Sequence, residues 1–167
     1  PKDEVNALMK LLVQYLRSEV SELHRNKVVL RVLGDITALA DECRKEIEES
    51  IELTKNNTGL VLNFAFNYGG RDEITRAVRK IAGKVSEGSL KPEDIDEDTI
   101  SNNLDTWELP DPDLLIRTSG EQRLSNYLCW QLAYTEFYFT DIFWPDFDRE
   151  ELINNKTERR FGGVKEE

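Results

Sequence analysis

Between positions 113 and 126 the chain reads Asp113-Leu114-Leu115-Ile116-Arg117-Thr118-Ser119-Gly120-Glu121-Gln122-Arg123-Leu124-Ser125-Asn126. An apolar run ends at Arg117, a Thr-Ser-Gly turn follows, and Arg123 and Ser125 lead toward a further helical pattern. In parallel α/β sheets, ligands bind beyond the carboxyl ends of the strands. Two guanidinium forks and a hydroxyl beside a helix start suit a phosphate or pyrophosphate. The same residues also read as a structural network in which Arg117 and Arg123 pair with Glu121 and neighbouring acids. Spacing leaves both readings open.

Two further stretches carry residues of the right type. Asn67-Tyr68-Gly69-Gly70-Arg71-Asp72-Glu73 holds paired glycines that let a backbone turn sharply and approach a ligand. A plain strand-to-helix turn with Asp72 as N-cap explains it as well. Glu136 stands among aromatics in Tyr134-Thr135-Glu136-Phe137-Tyr138-Phe139. A carboxylate there is costly if buried and unpaired, so it must be exposed, paired with an arginine, or holding a cation. Magnesium commonly takes one or two carboxylates and fills its shell with water and substrate phosphate.

Several chemistries are disfavoured by what is missing. No Gly-x-x-x-x-Gly-Lys-Ser/Thr string is present, which argues against a nucleotide P-loop. His24 is the single histidine, and without a Gly-x-Ser-x-Gly elbow a Ser-His-Asp hydrolase has no frame. His24 reads instead as a C-terminal charge partner of its helix. The acidic run Glu93-Asp94-Ile95-Asp96-Glu97-Asp98 lacks the spacing of a calcium loop and reads as a solvated face. Phe143-Trp144-Pro145-Asp146-Phe147 is apolar enough for core, with a subunit interface as the alternative.

The elements that must position these residues follow from periodicity. Helical spacing runs from Pro1 to His24, with Val5, Leu8, Leu12, Tyr15, Leu16 and Leu23 on one face. Val28–Leu33 reads as a strand, Thr37–Thr54 as a helix, and Leu60–Phe66 as a continuously apolar strand of the kind covered by helices on both faces. Asp72–Glu87 is predicted helical, and Lys91–Asn103 a short acidic helix or loop. Leu114–Arg117 is predicted as a strand, Asn126–Thr135 as a helix, Phe137–Thr140 as a strand, and Asp148–Asn154 as a helix start. This alternation predicts an α/β fold with a parallel β-sheet covered by helices, in one domain over residues 1–167. An amphipathic helix at the very start normally covers a strand supplied before it, so the architecture reads as entered part-way through.

Composition bounds the rest. The 167 residues carry 22 Lys and Arg against 33 Asp and Glu, a net charge of −11. That balance argues against general nucleic-acid binding, which needs accumulated positive charge. No apolar run approaches the ~18 residues of a membrane span, and no signal segment opens the chain. Cys43 and Cys129 are too far apart in sequence to form a metal knuckle by themselves. A reduced, cytoplasmic protein is expected, and the Asn-x-Thr triplets at Asn56 and Asn155 are then chance matches.

Taken together and in order, Asn67–Arg71, Asp113–Ser125, Trp130–Asp141, Trp144–Phe147 and Arg159–Gly163 resemble the cis-prenyltransferases, most nearly the bacterial undecaprenyl diphosphate synthases. The resemblance spans nearly the whole chain. It implies a parallel sheet wrapped by helices and enclosing an apolar tunnel. It also implies an enzyme that condenses isopentenyl diphosphate onto an allylic diphosphate, usually farnesyl diphosphate. The product is a long-chain cis-polyprenyl diphosphate such as undecaprenyl diphosphate. By motif matching, Arg117, Arg123, Leu124 and Ser125 would bind substrate and Glu136 would help to place Mg2+. Leu60 would line the tunnel, and Arg160, Phe161, Gly162 and Gly163 would reach the neighbouring subunit's site in a homodimer. A cytoplasmic enzyme with transient membrane contact and no nucleic-acid partner is implied. The chemistry agrees with the residues, since an allylic centre needs a dry apolar pocket and a leaving diphosphate needs concentrated positive charge.

The family's N-terminal strand, its phosphate loop and its catalytic aspartate have no counterpart in these residues. The helix between Asp148 and Arg159 is also shorter than the family pattern. These residues by themselves are therefore not expected to turn over substrate. The alternative is a non-catalytic partner subunit of a hetero-oligomeric cis-prenyltransferase. Against it, Arg117, Arg123, Ser125 and Glu136 occur together, a set that a structural subunit has no need to keep.

Overall fold

The structure is a computed structural model and describes residues 2–154. The chain divides into two compact units, one up to Glu73 and one from Ile74 onward. The first unit contains α1 (Lys2–Arg25), β1 (Val29–Leu33), a 3₁₀ turn (Ile36–Ala38), α2 (Asp41–Thr54) and β2 (Val61–Ala65). β1 and β2 pair in parallel from Val29↔Val61 to Leu33↔Ala65. Successive strand residues face opposite sides. Leu30 and Val32 of β1, with Leu62 and Phe64 of β2, accordingly join the core formed with α1 and α2.

That core is closed by helical periodicity. Val13 and Leu16 of α1 meet Cys43 and Ile47 of α2, with Met9, Leu12, Val20 and Leu23 packed around them. Burying a side chain such as Ile47 contributes roughly 1.5–3 kcal/mol. Thr54 is also fully buried. Its hydroxyl donates to the Ser50 carbonyl at 2.8 Å and accepts from the Leu30 amide at 3.1 Å, which ties α2 to β1 without an orphaned polar atom.

Two boundaries differ from the periodicity. The helix expected from Thr37 opens instead as a 3₁₀ turn, because Asp35 accepts from the Thr37 amide at 2.9 Å and Leu39 and Ala40 then turn extended. A new helix starts at Asp41. The helix after β2, α3 (Gly70–Ser86), begins before Asp72 rather than at it. Asp72 and Glu73 therefore occupy its first turn, where acids meet the positive end of the helix dipole, and Asp72 is not the cap.

The second unit takes α3 from Ile74 on, a 3₁₀ turn (Pro92–Asp94), α4 (Glu97–Ser101), β3 (Leu114–Arg117), β4 (Glu136–Phe139), a 3₁₀ turn (Trp144–Asp146) and α5 (Arg149–Asn154). β3 and β4 pair in parallel from Leu114↔Glu136 to Arg117↔Phe139. The α/β class and the parallel sense match the sequence, with the strands hydrogen-bonded as two pairs. Ala77, Ile81, Leu104, Leu128 and Leu132 are buried here. A polar network surrounds them. Arg76 grips Asp105 through two 2.7 Å bonds, Lys84 reaches Asn103 Oδ1 at 2.9 Å, and Gln131 donates to Thr106 at 2.9 Å. The acidic run becomes the second 3₁₀ turn and α4, capped by a reciprocal Asp96–Thr99 box. Those hydrogen bonds from Thr99 hold the Asp96 carboxyl below its ordinary pKa.

Two sequence expectations are corrected in this unit. Residues 126–135 form successive turns rather than a helix, since Asn126 and Leu128 sit at φ 62° and φ 44° in the left-handed region, which no right-handed helix tolerates. Leu128, Gln131 and Leu132 are buried at helical spacing all the same. Phe143 and Trp144 are not core, being 65% and 66% exposed, although Trp144 stacks on Phe147 with ring centres 5.8 Å apart. Among the described residues no helix is long and apolar enough to cross a membrane.

Two outcomes follow. Cys129 is exposed and Cys43 buried, so one thiol should react with a maleimide in the native protein and Cys43 only after unfolding. Burial pushes the Cys43 thiol above its ordinary value of 9.0. The stability it contributes is present in full below pH 9.0 and lost as pH rises through the higher native value. An alkaline melting series comparing wild type with Cys43→Ala reads this. Separately, Arg76→Ala should cost about 1.5–3 kcal/mol in chemical denaturation, because it removes two charge-assisted bonds to the half-buried Asp105.

Candidate functional site

At the carboxyl end of β3 the chain enters a loop held in an uncommon conformation. Ser119, Gly120, Ser125 and Asn126 all have positive φ, at 67°, 69°, 51° and 62°. Two straps fix its first half. The Ser119 amide donates to the Ile142 carbonyl and the Gly120 amide to the Thr140 carbonyl, each at 2.9 Å. Arg117 fixes its second half, where Nη1 donates to the Arg123 carbonyl at 2.5 Å and to Ser125 Oγ at 3.2 Å. The result is a cleft of about 460 Å³ lined by Arg117, Thr118, Ser119, Glu121, Arg123, Leu124, Ser125 and Tyr127.

The electrostatics of this cleft run against those of the chain. Two guanidinium groups face one carboxylate, while the whole sequence carries −11. A guanidinium has five N–H donors. Arg117 uses Nη1 for the loop, and its Nη2 and Nε make no hydrogen bond among the described residues. Arg123 forms an ion pair with Glu121, with the two side chains 66% and 39% exposed. An exposed pair contributes about 0–1 kcal/mol, so an anion offering charge-assisted bonds displaces Glu121 at little cost. Partial burial pushes the Tyr127 phenol above its ordinary value of 10.0, a group that is a neutral hydrogen-bond donor at physiological pH in either case. The arrangement can bind an anion with several oxygens.

Sequence reasoning and structure meet on Arg117, Arg123, Leu124 and Ser125, which line one cleft. The structural-network reading is seen in part, since Arg123 pairs with Glu121, while Arg117 bonds to the loop rather than to an acid. Glu136 is not brought to this cleft. It pairs with Leu114 at the amino end of β4, whereas Arg117 pairs with Phe139 at the carboxyl end. Three residues of strand separate those ends, roughly 10 Å. Among the described residues no cluster of three His, Cys, Asp or Glu side chains is poised for a metal. Leu60 lies just before β2 in the first unit. It is 69% exposed, with its carbonyl accepting from the Val29 amide at 2.8 Å. Arg160, Phe161, Gly162 and Gly163 lie outside the described residues. Tyr127 was missed because the periodicity placed it inside a helix. An amphipathic aromatic two positions after Ser125 was the available signal.

The chain was compared with known proteins. The prenyltransferase family model described as undecaprenyl diphosphate synthase matches residues 1–162. An isoprenyl transferase of Clostridium tetani is 52% identical over 98% of this chain and 66% of its own length. One from Streptococcus thermophilus is 53% identical, over 98% of this chain and 70% of the relative. The chain thus spans about two thirds of the length of these curated relatives. Among solved structures, lavandulyl diphosphate synthase from Lavandula x intermedia, crystallised with dimethylallyl diphosphate, superposes with a TM-score of 0.88 and 43% identity. That match covers 92% of this chain and 67% of that one. A probable undecaprenyl diphosphate synthase from Campylobacter jejuni superposes with a TM-score of 0.82 and 35% identity, covering 98% of this chain and 76% of that one.

The loop gives a direct test. A Cβ on Gly120 would stand 2.9 Å from Asp141 Oδ1 at a backbone φ of 69°. Because the crowded atom ends a side chain that can move, Gly120→Ala should cost only about 1–2 kcal/mol, from the left-handed backbone. Denaturant unfolding of the pair of proteins measures it.

Proposed function

This chain belongs to the undecaprenyl diphosphate synthase family of prenyltransferases, and we propose that the whole protein condenses isopentenyl diphosphate onto an allylic diphosphate, farnesyl diphosphate, to make a long-chain cis-polyprenyl diphosphate such as undecaprenyl diphosphate. The observation that carries the proposal is the convergence of Arg117, Arg123 and Ser125 on one cleft at the carboxyl end of a parallel strand pair. Names among the relatives support it, including farnesyl-diphosphate-specific undecaprenyl diphosphate synthase from Vibrio vulnificus, 51% identical over 97% of this chain.

In this reading the unengaged N–H groups of Arg117 and the guanidinium of Arg123 take the diphosphate oxygens of isopentenyl diphosphate. Glu121 yields Arg123, and the Ser125 hydroxyl, Leu124 and the neutral Tyr127 phenol complete the cleft. In each addition a carbon–carbon bond forms between the allylic carbon and the terminal alkene carbon. The allylic carbon–oxygen bond breaks, diphosphate leaves with the electron pair, and one proton is lost from the extended chain. The growing product is apolar and needs a dry wall. An apolar tunnel is proposed beside Leu16, Ile47, Ile51, Phe64 and Phe66, the packed apolar side chains of the first unit. Leu60 is proposed at its far end.

Magnesium belongs to the proposal as the cation that diphosphates carry, supplying charge neutralisation at the phosphate oxygens. Glu136 is proposed as one carboxylate for such an ion. Strand register sets the Glu136 backbone roughly 10 Å from that of Arg117, and no step is derived through the ion. A homodimer is proposed, with Arg160, Phe161, Gly162 and Gly163 reaching the neighbouring subunit's site. A cytoplasmic location with transient membrane contact accompanies an apolar product.

The whole protein with farnesyl diphosphate and radiolabelled isopentenyl diphosphate should place label in extractable lipid, and chelation should stop it. Arg117→Ala should weaken isopentenyl diphosphate by about 2–4 kcal/mol. Arg123→Ala should cost less, about 1.5–3 kcal/mol, as a solvent-exposed charged donor. Wild-type KM in both variants removes the substrate-site assignment. Incorporation that requires an added catalytic subunit favours a non-catalytic partner instead.

A further inference from the structure

Glu73 is 1% exposed, although its neighbour Asp72 in the same first turn of α3 is exposed. Helix-dipole stabilisation of an acid needs no burial, and taking a carboxyl group out of water is unfavourable unless it is well bonded. The phenol of Tyr68 donates to Glu73 Oε2 at 2.6 Å. This bond fastens a residue of the β2–α3 loop to the helix that follows it.

Tyr68 in turn is wedged against the end of β1. A Cβ on Gly34, at φ +102°, would stand 2.9 Å from Tyr68 Cβ and 2.2 Å from the Phe66 carbonyl oxygen. Asn67, held at φ 45°, donates its side-chain amide to the Asp35 carbonyl at 3.0 Å. Asp35 caps the 3₁₀ turn through the Thr37 amide at 2.9 Å. The loops leaving two adjacent parallel strands are therefore locked to each other. They lie at the carboxyl ends of β1 and β2, the edge of a parallel sheet where ligands bind. We infer that Glu73 is a positioning residue, whose buried carboxyl group sets Tyr68 and with it the Asn67–Gly70 loop in the geometry that substrate binding requires. This inference rests on the proposed prenyl-transfer function.

A purely structural carboxyl group behaves differently from a positioning one. Buried polar and charged groups can often be replaced by apolar residues of similar volume with no loss of stability. Glu73→Met therefore keeps the volume and removes the acceptor, whereas Glu73→Gln keeps an acceptor oxygen for Tyr68. Tyr68→Phe removes one hydroxyl and leaves Glu73 in place.

The experiment uses the whole protein, with melting temperature, KM for both diphosphates and kcat measured for each variant. Glu73→Met and Tyr68→Phe should each melt within a few degrees of wild type yet lose at least about tenfold in kcat/KM for one diphosphate, as misplacement of a binding loop predicts. The double variant should be no worse than the poorer single one, because both changes break the same bond. Glu73→Gln should recover most of the loss. Wild-type kinetics in Tyr68→Phe overturn the inference even if Glu73→Met does not fold. A loss of melting temperature with unchanged kinetic constants also overturns it, because the role is then structural. A wild-type protein that incorporates no isopentenyl diphosphate overturns the proposed function itself, a distinct result from active protein with unaffected variants.

Discussion

Two neighbouring strands that run parallel force the chain to leave at one end and return at the other. That constraint places the two polar loop clusters described above. In the first unit it collects Gly34, Asp35 and the Asn67–Gly70 loop at the carboxyl ends of β1 and β2. In the second it collects Arg117, the Thr118–Ser125 loop and Thr140–Ile142 at the carboxyl ends of β3 and β4. Glu136 and Leu60, both at amino ends, are the sequence candidates that stand apart.

Much of this was legible in the residues because periodicity and strand termini are local signals. The helix α1, the strand β1 and the strand ending at Arg117 each follow from a few neighbouring side chains, although Leu8 and Tyr15, placed on the apolar face of α1, are 61% and 49% exposed. The failures have a common cause. Residues 126–135 keep helical spacing of apolar side chains, yet the left-handed Ser125, Asn126 and Leu128 decide the backbone, and nothing in their side chains announces that choice. Asp72 appeared to be a cap because Asp is a good one, but paired glycines let the helix begin at Gly70. Phe143 and Trp144 looked like core by composition, and only three-dimensional packing could show them 65% and 66% exposed.

The family was legible for a different reason. Motif order carries information that no single spacing holds, and it pointed to the family whose model matches residues 1–162. Residue roles did not come with the same security. Glu136 pairs with Leu114 at the amino ends of the strands, roughly 10 Å along the strand from Arg117. Register is invisible in one sequence, because a parallel partner is chosen by contacts distant along the chain.

The two arginines are held in this loop in different ways. Arg117 spends Nη1 on the loop, and that bond to the Arg123 carbonyl makes the cleft a preformed shape rather than one assembled on binding. Its remaining donors stay in place for an anion at little further entropic cost, since the side chain is already fixed. Arg123 is the opposite case, an exposed side chain resting on Glu121. An exposed ion pair contributes so little that Arg123 can exchange Glu121 for another anion at small cost. One arginine shapes the loop from within, and the other is held loosely at its surface.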